Sequence, residues 1–174
     1  DRTANAVRLR IRQHGKFSAL RLCLEKPPDG MDATVPLPTA RVVDAQHGVV
    51  TQEIPGEHGV EVFQWHLAGS FPSRSPGVAA RPVLAHPWRL WQVVEMNPGT
   101  ELTFSVGIAT TRDGAGDAAQ RAMDLAKSGV GPGYDACKKQ HEAAWSSFWQ
   151  RSAIALQDAE LEATWYRHLF ALAG

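Results

Sequence analysis

The sequence predicts a mainly β fold, an antiparallel β-sandwich followed by helices. Two observations carry this. The hydrophobic period is two before Thr110 and 3.6 after it. About seven strand candidates follow one another through short turns, with no strand–helix–strand alternation, which is the pattern of a sandwich and not of a parallel sheet.

The elements follow in order. Val7-Arg8-Leu9-Arg10-Ile11-Arg12 alternates apolar residues with arginine, as a strand with one buried face does. After His14-Gly15-Lys16, residues 17–24 put Leu20, Leu22 and Leu24 on one face, and the two segments are expected to pair as a hairpin. A loop holding Pro27, Pro28, Pro36 and Pro38 comes next. Residues 41–44 and 49–54 read as short strands around the turn signal Gln46-His47-Gly48. Residues 60–67 make a better strand, with Val60, Val62 and Gln64 on one face and Phe63, Trp65 and Leu67 on the other. From Gly69 to Pro87, the residues Pro72, Pro76, Gly77 and Pro82 predict a loop. It is long for a structureless segment in a compact domain, which makes it a candidate for function. Residues 88–95 and 101–109 close the strand region around Asn97-Pro98-Gly99, and Leu102, Phe104, Val106 and Ile108 alternate cleanly in the second.

The remainder is helical. Residues 117–128 place Ala118, Ala122, Leu125 and Ala126 on one face. Gly129-Val130-Gly131-Pro132-Gly133 breaks the chain before a longer helix from Tyr134 to about Arg151. That helix aligns Tyr134, Cys137, His141, Trp145 and Phe148, with Trp149 alongside. Ile154-Ala155-Leu156 is a short extended link. Asp158 is a good N-cap for a last helix through Ala173, with Leu161, Trp165, His168 and Leu172 in one stripe.

A chain of 174 residues suits one sizeable domain, or one domain and part of another. Its 18 basic and 18 acidic residues cancel, so no field draws it to nucleic acid. No apolar run reaches the roughly 18–20 residues of a membrane span. Cys23 and Cys137 form neither a disulfide framework nor zinc-ligand spacing; free buried thiols are expected, with a single disulfide as the other reading. No signal-like stretch follows Asp1, and the compartment stays open, bacterial-type secreted or periplasmic residence included. The apolar run Leu169–Ala173 expects a packing partner, and the parent protein is expected to continue past it.

Several signatures begin and fail. His141-Glu142 opens like the zinc-protease helix motif, but Trp145 stands where the second His belongs, so a packed histidine is expected, and neither a metal nor a cofactor. Gly129–Gly133 lacks the Lys-Ser/Thr ending of a phosphate loop. Ser70 follows a glycine without another two positions on, so there is no nucleophile elbow. Asp135 and Glu142 are expected in i,i+4 pairs with Lys139 and Lys138, Asp158 has a capping role, and Glu160 suits the first helical turn. No catalytic residue is assigned. The six tryptophans are Trp65, Trp88, Trp91, Trp145, Trp149 and Trp165. Exposed aromatic faces stack on sugar rings. The three on helix stripes are expected in a core, whereas Trp88 and Trp91 border the Pro-rich loop and are the better candidates for exposure. His66 and His86 flank that loop without ligand partners nearby in sequence.

The run His141-Glu142-Ala143-Ala144-Trp145-Ser146-Ser147-Phe148-Trp149-Gln150-Arg151-Ser152 is more specific than these. It continues through Ile154-Ala155-Leu156, Asp158-Ala159-Glu160-Leu161-Glu162 and Trp165–Ala173. It resembles the linker and first barrel helix of the six-hairpin glycosidases, the fucosidase-like glycoside hydrolase family 95 first and the family 65 sugar phosphorylases behind it. The resemblance implies a β-sandwich over residues 1–112, a helical linker over 113–156 and the first helix of an (α/α)6 barrel over 157–174. It implies inverting hydrolysis by acids of the barrel, so that this chain is scaffold. Its partners are then carbohydrate, through the complete protein, and its own barrel. A sandwich loop that reaches the barrel mouth would bring Arg74, Arg81 and Trp88 to substrate. Two other readings stand beside it: a non-catalytic carbohydrate-binding or accessory sandwich, and an interaction module whose Trp145 and Trp165 stripes bind a partner chain.

Overall fold

A computed structural model describes residues 5–15, 19–26, 35–56, 61–131 and 133–173, the side chains of 172 and 173 excepted. Expectations for Lys16, Phe17, Pro27, Pro28, Val60, Pro132 and the Leu172 side chain lie outside the described residues. The elements are β1 (Ala6–Arg12), β2 (Ala19–Glu25), β3 (Thr39–Val42), β4 (His47–Ile54), β5 (Phe63–Ser70), β6 (Val78–Ala80), β7 (Leu84–His86), β8 (Arg89–Met96) and β9 (Glu101–Thr110), then α1 (Ala118–Ser128), α2 (Gly133–Ser152) and α3 (Ala159–Ala173).

All strand pairs are antiparallel and form two sheets, β1-β9-β5-β4-β3 and β2-β8-β6, with β7 also on β8. The sheets face each other across an apolar core. Leu22, Leu24, Leu90, Val94 and Met96 from one meet Val50, Leu102, Phe104 and Val106 from the other. The period of two decides which side chains go inward: on β8, Leu90, Gln92, Val94 and Met96 are buried and Glu95 is exposed. Leu90 is fully buried, which contributes about 1.5–3 kcal/mol. Asn97-Pro98-Gly99-Thr100 turns β8 into β9, with Thr100 N donating to Asn97 O at 3.1 Å. Gly99 has φ +85°, the conformation this type II turn demands of its third residue.

The expected hairpin between the first two strands does not form. β1 pairs with β9 and β2 with β8, in opposite sheets. Alternation fixes which face of a strand is buried but not which strand lies beside it. Because β1 is an edge strand, Val7 and Leu9 are also half exposed where a buried face is expected.

The loop expected over Gly69–Pro87 is partly β structure. Gly69 and Ser70 finish β5, and β6 and β7 lie end to end along one edge of β8. Three-residue strands carry too little alternation to read, and Pro82 and Pro87 mark their ends. The β3–β4 turn also closes early, since Val43 N and Asp44 N both donate to His47 O (2.8 and 3.2 Å) and His47 already belongs to β4. Cys23 and Cys137 are free thiols, but exposed and half-buried, not buried. Cys23 falls on the outward face of β2, between the buried Leu22 and Leu24.

Helix α1 covers the other side of the five-stranded sheet. Asp117 caps α1, accepting from Ala119 N (2.8 Å) and Gln120 N (3.2 Å). Ala122, Met123 and Ala126 lie on Val49, Ala68 and Ala109, with Met123 in the buried place expected of Leu125. Gly107 permits this approach, because a Cβ there would strike the Ala122 carbonyl. The helix 118–128 therefore follows the sandwich in sequence but packs on it in space.

α2 meets the sheet at its N-terminal end. Arg10 reaches Asp135 at 2.8 Å and Glu101 at 3.2 Å, with its guanidinium 4.1 Å from the centroid of the Tyr134 ring. Asp135 thus pairs with Arg10 and not with Lys139 as expected; the Lys138–Glu142 pair does form, at 3.7 Å. α2 buries none of its residues, so the expected core packing of its tryptophans does not occur. The two last helices cover each other instead: Trp145 stacks on Phe170 (5.1 Å between centroids) and Trp149 tilts against Tyr166 (5.5 Å). The Tyr166 hydroxyl donates to Ile154 O at 2.8 Å and accepts from Ile154 N at 3.1 Å. Asp158 caps α3, accepting from Glu160 N and Leu161 N.

Replacing Gly107 by Ala is expected to push α1 off the sheet and cost about 1–3 kcal/mol. Urea unfolding would read this as a lower midpoint with an unchanged slope, and an unchanged midpoint would refute the close contact.

Candidate functional site

Main-chain hydrogen bonds lace the β3–β4 turn to the chain that follows β5. Phe71 N donates to Gln46 O (2.8 Å) and Val83 N to Ala45 O (3.1 Å). Gln46, Pro72 and Ser73 form a wall with a cleft on each side.

The first cleft, about 340 Å³, holds Arg74 and Arg81. Gln92, buried on the inward face of β8, lines it and orders both arginine-bearing segments: its Nε2 donates to Pro72 O (3.0 Å) and Arg81 O (2.8 Å). The Arg81 guanidinium approaches Glu95 at 3.4 Å, an exposed pair worth little. Trp88, the third sequence candidate, lines neither cleft. It stands in the β7–β8 turn, edge-on to His86 at 5.5 Å, and its carbonyl accepts from Lys26 N (3.3 Å). The structure therefore brings Arg74 and Arg81 together and leaves Trp88 apart.

The second cleft, about 390 Å³, opens on the outer face of the five-stranded sheet beyond the end of α1. His47 and Ser70 are register partners on β4 and β5, and directly opposed residues share one face. Asp44 holds the imidazole, with its two oxygens 2.7 and 2.8 Å from His47 Nδ1. Burial pushes the Asp44 carboxyl up, but hydrogen bonds from Gln46 N and His47 outweigh it, and the group titrates below its ordinary value. Ser70 is 2% exposed, and its hydroxyl has no hydrogen-bond partner among the described residues. Thr103 Oγ1 accepts from Gly131 N at 3.0 Å, which draws the α1–α2 link over the cleft as a roof. Sequence reasoning missed this cleft. The only local signal is the Asp44–His47 spacing, and Ser70 joins it through strand register alone.

His66 lies on β5 beneath α1, buried, with Nδ1 2.9 Å from Thr51 Oγ1. Burial holds its imidazole below the ordinary value, against a smaller opposing pull from Asp117. His141 lines a small hollow with Arg8, Tyr134 and Cys137, and its ring stands edge-on to Trp145 at 6.2 Å. Among the described residues, no three His, Cys, Asp or Glu side chains gather as metal ligands would. No described helix is long and apolar enough to cross a membrane. Among known proteins, no family model, no curated sequence and no solved structure matches this chain.

The His66 environment fixes a sign for the pH dependence of stability. The folded state favours the neutral ring, so its contribution is complete above the ordinary value of 6.5 and is lost as pH falls below it, where the unfolded chain takes up the proton first. Urea midpoints should rise between pH 5 and pH 7, about the range of an ordinary histidine, and His66→Gln should flatten that rise. An identical slope in wild type and variant would refute the assignment.

Proposed function

We propose that this chain is the N-terminal sandwich and linker of a six-hairpin glycoside hydrolase, and that the parent enzyme cleaves a fucoside-like glycosidic bond with inversion. The observation that carries this reading is the seam of Trp145 on Phe170 and Trp149 on Tyr166. It falls on the aromatic positions of the motif that resembles the glycosidase linker. Such a seam sets the angle at which α3 leaves α2, as the entry to an (α/α)6 barrel requires. Leu161 and Phe170 remain exposed, at 60% and 58%, for further helices to cover.

On this reading one barrel acid protonates the glycosidic oxygen while a second carboxylate activates water on the opposite face of the sugar. Four acids at the two last helices are engaged elsewhere, Asp135 with Arg10, Glu142 with Lys138, Asp158 at its cap, and Glu162 accepting from Leu156 N at 2.8 Å, and Glu160 stands in the first turn of α3. The chain therefore acts as scaffold, with Arg74 and Arg81 as its approach to substrate. A second reading, a non-catalytic carbohydrate-binding sandwich, is favoured by Trp91. That ring lies on the outward face of β8, with the Arg21 guanidinium 5.1 Å from its centroid.

The 174-residue chain alone is expected to turn over no aryl glycoside. The full-length protein is expected to hydrolyse an aryl α-fucoside or a related glycoside, with an inverted anomeric product by NMR. Arg74→Ala in that protein should raise KM. Turnover by the isolated chain would overturn the reading, as would a full-length protein inactive on a broad glycoside panel with water or phosphate as acceptor. Saturable tryptophan quenching of the isolated chain by oligosaccharides, without activity in the full-length protein, would favour the binding module instead.

A further inference from the structure

The cleft beside His47 and Ser70 has a lining that specifies its ligand by chemistry. Two members can carry charge: His47 is held by Asp44 at 2.7 Å, and Glu101 at 3.2 Å shares the Arg10 guanidinium with Asp135 at 2.8 Å. Two carboxylates on one guanidinium leave the lining short of positive charge, so it does not select an anion. What remains is hydroxyl and amide: Ser70, Ser73, Ser75 and Thr103, with the Gln46 side chain beside them. Phe71, Leu102 and Val130 supply apolar surface between these groups. Alternating hydroxyl and apolar surface matches a ring with C–H faces and a rim of hydroxyls, and a volume of about 390 Å³ lies in the range of small-ligand sites.

Two features mark a built site. Ser70 is 2% exposed and lines the cleft, and its hydroxyl makes no hydrogen bond to another described residue, so it is available to a ligand there. Opposite it, Asp44 fixes the His47 ring by Nδ1, which leaves Nε2 as the ring nitrogen open to a ligand. We infer that this cleft binds a small neutral saccharide, of one or two rings, through the Ser70 hydroxyl and His47 Nε2 under the Gly131 roof. Every group named belongs to this chain, so the inference goes beyond the scaffold reading and does not need the barrel.

The test is an NMR titration of the 174-residue chain with methyl β-D-glucopyranoside, methyl α-L-fucopyranoside and sucrose. Saturable shifts are expected with at least one of them, centred on His47, Ser70 and Gly131. Ser70→Ala should weaken that binding by about fivefold or more, the worth of one hydrogen bond. Its melting temperature should stay within about 2 °C of wild type, because the hydroxyl it removes is unpartnered. Should Ser70→Ala fail to fold, Ser73→Ala on the exposed rim carries the same expectation of weakened binding. Absence of saturable shifts, shifts centred on Trp91, tighter binding of glucuronate or inorganic phosphate at the cleft, or unaltered affinity in the folded variant would each overturn the inference. Turnover by the full-length protein decides the glycosidase reading separately, so either can fail alone.

Discussion

The approach of α1 to Gly107 is the contact on which the rest of the structure depends. The five-stranded sheet has large apolar residues on its inner face and small ones on its outer face, and only the second admits a helix backbone at this distance. β9 is consequently buried on both sides, with Leu102, Phe104 and Val106 inward and Ser105, Gly107 and Ala109 outward. Where α1 ends, the chain must cross the end of the sheet. That crossing puts Gly131 over Thr103 and brings Asp135 to Arg10, so the roof of the second cleft and the anchor of α2 follow from one glycine.

A second theme is the use of glutamine inside the sandwich. Gln52 donates to Pro36 O at 2.9 Å, Gln92 to Pro72 O and Arg81 O, and Gln13 accepts from Gly15 N at 2.9 Å. Each sits on or beside a strand and is almost fully buried; Gln52 and Gln92 satisfy main-chain groups of another segment, and Gln13 one of its own turn. A buried amide that ties down irregular backbone contributes about 1 kcal/mol per bond while keeping the loop polar groups paired. The walls of both clefts are therefore ordered from within the sandwich.

How much of this could be read from the sequence varies with the kind of information each element needs. β9 and the three helices are legible, because their patterns are long and the Asp158 cap is local. Partnership is not: β1 and β2 alternate as strands should, yet no residue in either says that they enter different sheets. β6 and β7 were hidden because three residues are too few to show a period. The helix stripes were read correctly as apolar, but a stripe does not say what covers it, and Trp145 and Trp149 found α3 where a core was expected. Of the candidate site, Arg74 and Arg81 were visible as charged residues in an unusual segment. Asp44, His47 and Ser70 were not, because strand register and a turn closed one step early bring them together.

The charged edge of β1 has a consequence for how this protein behaves in concentrated solution. Its formal net charge at pH 7 is zero, so long-range repulsion between molecules is weak near neutrality. A five-stranded sheet has two open rims, each able to template a strand from another molecule. Here one rim, β3, is only four residues long, and the other, β1, sets Arg8, Arg10 and Arg12 between the half-exposed Val7 and Leu9. A copy that offered its own β1 there would set Arg8 and Arg12 against the same residues, while Arg10 is held by Glu101 and Asp135. In a chain with no net charge, the shortness of β3 and the arginines of β1 are thus what guard the two rims of this sheet against strand addition.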